Sequence, residues 1–206
     1  SAGTKDVWTD TPPPGWEVDE SGVPGVGNRA TDGVTEWAGW AFTNKDWWAS
    51  VAGDQRRTEF TLGQGTVAVA DPDEWDDSDH PAGYNVAIDS YDTWLSTSPI
   101  DISGCTAGTV QLEFSSSWRP EYDNDYHQTA TITASFNGSE PVEVLRWESD
   151  PSSRSFKPDN STNETITVNV ENPAWATSVV LTFGLFDAGN DWWWAVDNIK
   201  VSGLQK

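Results

Sequence analysis

The chain has 206 residues, fourteen of them tryptophan and only one cysteine, and its 33 acidic against 11 basic side chains give a formal net charge of −22. That field repels phosphate backbones and anionic headgroups, so no nucleic acid or acidic membrane surface is expected as a partner, and a lone Cys105 excludes an intramolecular disulfide. No run approaches the roughly 20 apolar residues of a membrane-spanning helix, so no membrane insertion is expected, and residues 1–206 suit one domain with a core of its own.

The chain begins Ser-Ala-Gly and contains no methionine, which reads as a module excised from a larger protein. Helical periodicity is hard to find, whereas period-two alternation recurs between Gly, Pro, Asn and Asp clusters. The stretch from Asp19 to Gln64 is irregular and rich in Gly and Trp, long enough to carry function or to cover a core edge. Thr66 to Ala70 reads as a short strand.

Directly after it comes the densest acidic cluster, in which Asp71, Asp73, Asp77 and Asp79 offer oxygens at alternate positions. Such a loop can wrap Ca²⁺, which accepts six to eight oxygens without strict geometry; the plainer reading is a solvated acidic loop. Tyr84 to Asp89 is expected to form another short strand.

Val110, Leu112, Phe114, Ser116 and Trp118 share one face of the next strand. The loop after it sets Trp118, Tyr122 and Tyr126 beside Arg119, Glu121 and His127. Aromatic faces next to planar polar groups suit a sugar, as they suit any exposed polar loop. Thr129 to Phe136, Val142 to Trp147, Thr165 to Val170 and Val179 to Leu185 read as further half-buried strands, with a long polar loop from Ser149 to Glu164.

The last strand runs from Ala195 to Val201. Ile199 and Val201 must face the core, and alternation from them turns Asp197 inward too. A buried carboxylate needs a partner, which is an arginine, a set of backbone N–H groups or a metal; with few basic residues, calcium is preferred. Trp192 and Trp194 fall on the opposite face, a stacking platform if that face meets solvent and core if it is covered. Of the three consecutive indoles at 192–194, at least one is expected to be partly exposed.

Signatures of catalysis are few. His80 and His127 are the only histidines, neither stands in an HExxH spacing, and no G-x-S-x-G is present. Arg57-Thr58-Glu59 resembles the start of a motif in jelly-roll alginate lyases, but without its partner motifs it reads as coincidence. Carboxylate pairs for glycoside hydrolysis are spatial and leave no sequence signature.

Trp8-Thr9-Asp10 followed by Pro13-Pro14-Gly15-Trp16, then Leu95 to Ile102, and finally Trp192 to Ile199 resemble the choice-of-anchor J, cleaved-adhesin and MAM-like group of jelly rolls. The resemblance implies a jelly-roll β-sandwich, a structural calcium shared by Asp10 and Asp197, and an accessory role on a larger secreted bacterial protein. The Trp-rich segment from Trp37 to Trp48 and the acidic loop near Asp71 lie outside the group's minimal pattern.

The expectations are therefore an all-β fold of two antiparallel sheets, acting as a monomeric, extracellular, non-catalytic module that binds carbohydrate or adheres. Its cofactor is Ca²⁺, on Asp10 and Asp197 and on Asp71, Asp73, Asp77 and Asp79; its ligand is a polysaccharide or cell-surface glycan, on Trp118, Arg119, Tyr122, Tyr126, Trp192 and Trp194. Net charge favours a neutral or weakly charged glycan, and other domains of the parent protein are further partners. A structural spacer whose tryptophans are all core is the rival reading, and a jelly-roll glycoside hydrolase or polysaccharide lyase the third.

Overall fold

The computed structural model describes residues 7–23, 37–77, 90–122 and 127–206, and the backbone alone of Asp76 and Asp77. One antiparallel sheet contains β1 (Trp8–Thr9), β3 (Ala41–Asn44), β4 (Thr66–Ala70), β7 (Gln111–Arg119), β10 (Ser161–Asn169) and β12 (Trp193–Ser202), in the order β1-β3-β4-β12-β7-β10. The second contains β2 (Glu17–Gly22), β5 (Tyr91–Ser96), β8 (Thr129–Phe136), β9 (Val142–Glu148) and β11 (Ser178–Ala188), in the order β2-β5-β11-β8-β9, with β6 (Ile100–Asp101) pairing to β11. The all-β sandwich expected from alternation is the fold. Among the described residues no helix is long and apolar enough to cross a membrane.

The inward faces make one core. Leu112 and Phe114 of β7 meet Leu181 and Phe183 of β11, with the Phe114 and Phe183 rings edge to face at 5.7 Å. Trp194 is the hub, its ring 5.6 to 6.5 Å from those of Trp40, Phe114, Trp118, Trp147 and Phe183. Fully burying an apolar side chain of this class stabilises the fold by about 1.5–3 kcal/mol, and aromatic pairs in these geometries add about 0.5–1.5 kcal/mol.

Between 19 and 64, where irregular chain is expected, β2 and β3 add strands to the two sheets, and a helix spans Lys45–Val51. Asn44 caps that helix by accepting from the Trp47 N–H at 3.0 Å. A second helix, Pro72–Asp77, replaces the expected acidic loop. Asp71 accepts from the Glu74 N–H at 3.1 Å, and proline follows at the first helical position, where its missing N–H costs nothing. The strand expected at Tyr84–Asp89 lies outside the described residues. Instead β5 alternates just after it, with Tyr91, Thr93 and Leu95 buried against half-buried Asp92, Trp94 and Ser96.

One irregularity changes which face Asp197 occupies. The β12/β7 register shifts between Asp197 and Lys200, and Asn198 sits there at φ 54°, a β-bulge carrying one residue in the left-handed region. Trp194 and Val196 pair with inward Trp118 and Ser116 before the bulge, and Val201 with inward Leu112 after it. Asp197 pairs with Ser115 on the outer face. The bulge reverses the parity on which its inward placement rested.

Candidate functional site

The expected Trp192/Trp194 platform is core at its centre. Trp118, Trp193 and Trp194 are completely buried, and each indole N–H is satisfied inside: Trp118 donates to the Lys157 carbonyl at 3.1 Å, Trp193 to Ser117 Oγ at 3.0 Å and Trp194 to Ser116 Oγ at 3.1 Å. They have no free face for a ligand. Trp192 alone of the triplet keeps some exposure, and the Arg119 guanidinium lies 3.4 Å from its ring centroid, held by a 2.7 Å bond to the Gln55 carbonyl. Tyr122 is exposed, its ring 6.1 Å from that of His127. Tyr126 lies outside the described residues.

The expected calcium ligands lie on different elements. Asp10 follows β1 and Asp197 lies in β12, with β3 and β4 between the two strands. Asp197 accepts instead from the Gln64 and Asn198 N–H groups at 2.9 and 2.7 Å, the backbone alternative among its three candidate partners. Among the described residues no group of three or more His, Cys, Asp or Glu side chains is arranged to hold a metal ion.

Asp71 and Asp73 already have a cation. Arg57, wholly buried, donates to Asp71 through Nε and Nη2 and to Asp73 at 3.0 Å, with Glu74 at 3.5 Å. Trp48 Nε1 donates to the same Asp71 at 2.8 Å, and the guanidinium lies 4.3 Å from the Trp193 ring centroid. Burial opposes the Arg57 charge, but the three carboxylates more than offset it and raise its pKa. Asp77's side chain and Asp79 lie outside the described residues. Of the four ligands expected in this segment, Asp71 and Asp73 are thus engaged by Arg57.

The outer face of the second sheet brings together a different constellation. Register places Asp19, Trp94, Gly184, Thr131 and Arg146 in one row across β2, β5, β11, β8 and β9, about 19 Å across four strand spacings. The row on one side holds Glu17, Ser96, Thr182, Thr133 and Glu143; on the other, Phe186, Thr129 and Glu148 align, with Asp92 at the β11 bulge.

Trp94 lies across Gly184, where an added Cβ would stand 2.7 Å from the indole Cδ1 and Nε1. Glycine is required there by the ring, not by backbone conformation. The half-buried Phe186 ring is 6.3 Å from that of Trp94 and within 22° of parallel. Arg146 extends over Phe186 at 5.9 Å, between Glu143 at 2.9 Å and Glu148 at 3.2 Å.

At the bulge, Asp92 accepts from the Asp187 N–H at 2.8 Å. Partial burial, then the neighbouring Asp92 charge, hold the Asp187 carboxyl above the ordinary carboxylate range. The surface can stack a flat, weakly polar ring and exchange hydrogen bonds around it. None of Trp94, Phe186 or Gly184 stands among the residues expected from the sequence to form the site. The readable signal was a large aromatic on the polar face of an amphipathic strand.

No family model matches the chain, and no curated protein sequence matches it. Among solved structures it is similar to TmCBM61 in complex with β-1,4-galactotriose (12% identity, 92% of this chain and 88% of that one, TM-score 0.47). It is also similar to the family 11 xylanase from Neocallimastix patriciarum (11% identity, 96% of each chain, TM-score 0.39) and to a CBM4 structure (13% identity, 67% of this chain and 71% of that one, TM-score 0.33).

Proposed function

We propose that the protein is an extracellular carbohydrate-binding module of a larger protein, holding a polysaccharide on the outer face of its second sheet. The observation that carries this reading is Trp94 laid over Gly184 beside near-parallel Phe186, on a face otherwise made of hydroxyls, carboxylates and one guanidinium. A sugar ring has one apolar face and a rim of hydroxyls. The indole and phenyl supply the first complement, and Thr182, Ser96, Glu148 and Asp92 the second. A spacer whose tryptophans are all core is disfavoured by half-buried Trp94 and by Trp175, 59% exposed.

The test is binding to a panel of soluble polysaccharides by tryptophan fluorescence and affinity electrophoresis, with Trp94→Ala alongside. Retention of the wild type and its loss in the variant, at unchanged melting temperature, is expected; equal retention of both rejects the site.

One observation favours a catalytic reading in second place. Asp92 and Asp187 adjoin on this face, and Asp187 is held above the ordinary range, as one member of a hydrolytic carboxylate pair would be. Release of reducing ends that disappears in Asp187→Asn would establish it; no release over a day rejects it.

A further inference from the structure

We infer that Glu143 and Glu148 are specificity determinants: by occupying Arg146 they turn the face into a site for neutral glycan chains and exclude uronate or sulfated ones. This rests on the reading of the second sheet as a sugar site. Arg146 is the sole Lys or Arg among the outward residues of the described strands of that sheet. It is the group that would recognise an anionic sugar, because a guanidinium matches a carboxylate or sulfate with two parallel N–H donors.

Here each of its three nitrogens already faces a carboxylate, through three of its five N–H donors. Nε and Nη2 face Glu143, at 3.1–3.2 and 2.9 Å, and Nη1 faces Glu148 at 3.2 Å. An anionic ligand would have to displace one of these carboxylates or enter between them, while approaching Asp19, Asp92 and Asp187 on the same face. Like charges brought together in this way repel and suppress binding of the wrong partner.

A neutral chain meets no such barrier. Its hydroxyls donate to the lone pairs that Arg146 leaves unused on Glu143 and Glu148, charge-assisted bonds of the stronger kind. The pairs therefore act on selectivity without carrying the fold: Arg146 and Glu143 are exposed, with side chains 36% and 43% accessible, and exposed ion pairs contribute little to stability.

The experiment is affinity electrophoresis of the 206-residue protein in gels containing neutral polysaccharides (β-glucan, galactan, mannan, xylan) or polyuronates (polygalacturonate, alginate). The wild type, E143Q/E148Q and E143Q/E148Q/R146A are compared, with melting curves to confirm folding. The wild type is expected to be retarded by at least one neutral chain and by neither polyuronate. The double variant should gain at least about tenfold in affinity for a polyuronate, a gain that salt abolishes and that R146A removes.

Equal wild-type retardation by polyuronates, or no gain in the double variant, overturns the inference; if W94A still weakens binding in that case, the sugar site stands without it. No retardation of the wild type by any chain overturns the sugar reading and the inference together.

Discussion

The two outer faces of the sandwich use the same three chemical parts to different ends. On the first sheet Arg57 sits between Asp71 and Asp73 against Trp193. On the second, Arg146 sits between Glu143 and Glu148 against Phe186. The difference is cover: Arg57 is 0% exposed beneath the segment that carries the Lys45–Val51 helix, whereas the Arg146 side chain is 36% exposed. In the dry setting a charge is stranded if its partner goes. In the wet setting water replaces it, and the same groups are free to meet a ligand.

The sharpest way to break this comparison is to remove one partner on each face. Asp71→Ala should cost about 3–5 kcal/mol in urea unfolding, since it leaves a buried guanidinium short of its main carboxylate and the Trp48 N–H without an acceptor. Glu143→Ala should cost no more than about 1 kcal/mol. Comparable losses at the two sites would show that cover does not separate their roles.

Next in size is the loss of binding. Trp94→Ala should reduce affinity for a bound polysaccharide by about 2 kcal/mol, the range of a truncated hot spot and about 30-fold in Kd. Gly184→Ala should weaken binding in the same direction while keeping every aromatic, because its methyl would push the indole off the sheet. Titration calorimetry of both variants checks this; an unaffected G184A would mean that the lie of the ring is immaterial.

A smaller effect is expected from pH. Asp187 is raised in the folded state, so the native protein takes up this proton at a pH where the unfolded chain has not yet done so. The cost of keeping the group ionised is complete at neutral pH and is relieved as pH falls through the folded value. Asp187→Asn should accordingly stabilise slightly at pH 7 and lose that advantage in acid, as melting temperatures across a pH series would show. A benefit independent of pH would point instead to asparagine's tolerance of the positive φ at this position, 55°.

The smallest expected effect concerns calcium. Asp197 is engaged by the Gln64 and Asn198 N–H groups, so Asp197→Ala should leave any calcium-induced change in melting temperature as it is in the wild type. A shift abolished by Asp10→Ala and by Asp197→Ala alike would restore a shared ion.

Strands β7 to β12 were legible to within a few residues, because a half-buried strand shows its two environments at every second position. Thr129–Phe136 is the clearest case. The Lys45–Val51 and Pro72–Asp77 helices were not, since seven and six residues give under two turns, too few for a period of 3.6 to emerge. Asp71-Pro72 with Glu74 did carry a cap and a proline start, submerged in a run of acids whose charge suggested an ion.

The Asp197 parity failed for a separate reason. A bulge inserts one residue and reverses every later inference about faces.

By itself, then, the sequence determined the all-β class, most strand positions and the acidic field, because alternation and net charge belong to near neighbours or to simple sums. Tertiary structure decided which outer face is covered, which arginine is dry and which tryptophan remains at the surface. Those outcomes depend on segments far apart in the chain, as when Gly184 comes under Trp94 or Arg57 reaches Asp71 across 14 positions. Burial follows from that long-range packing, and burial is what separates a structural charge cluster from one that can bind.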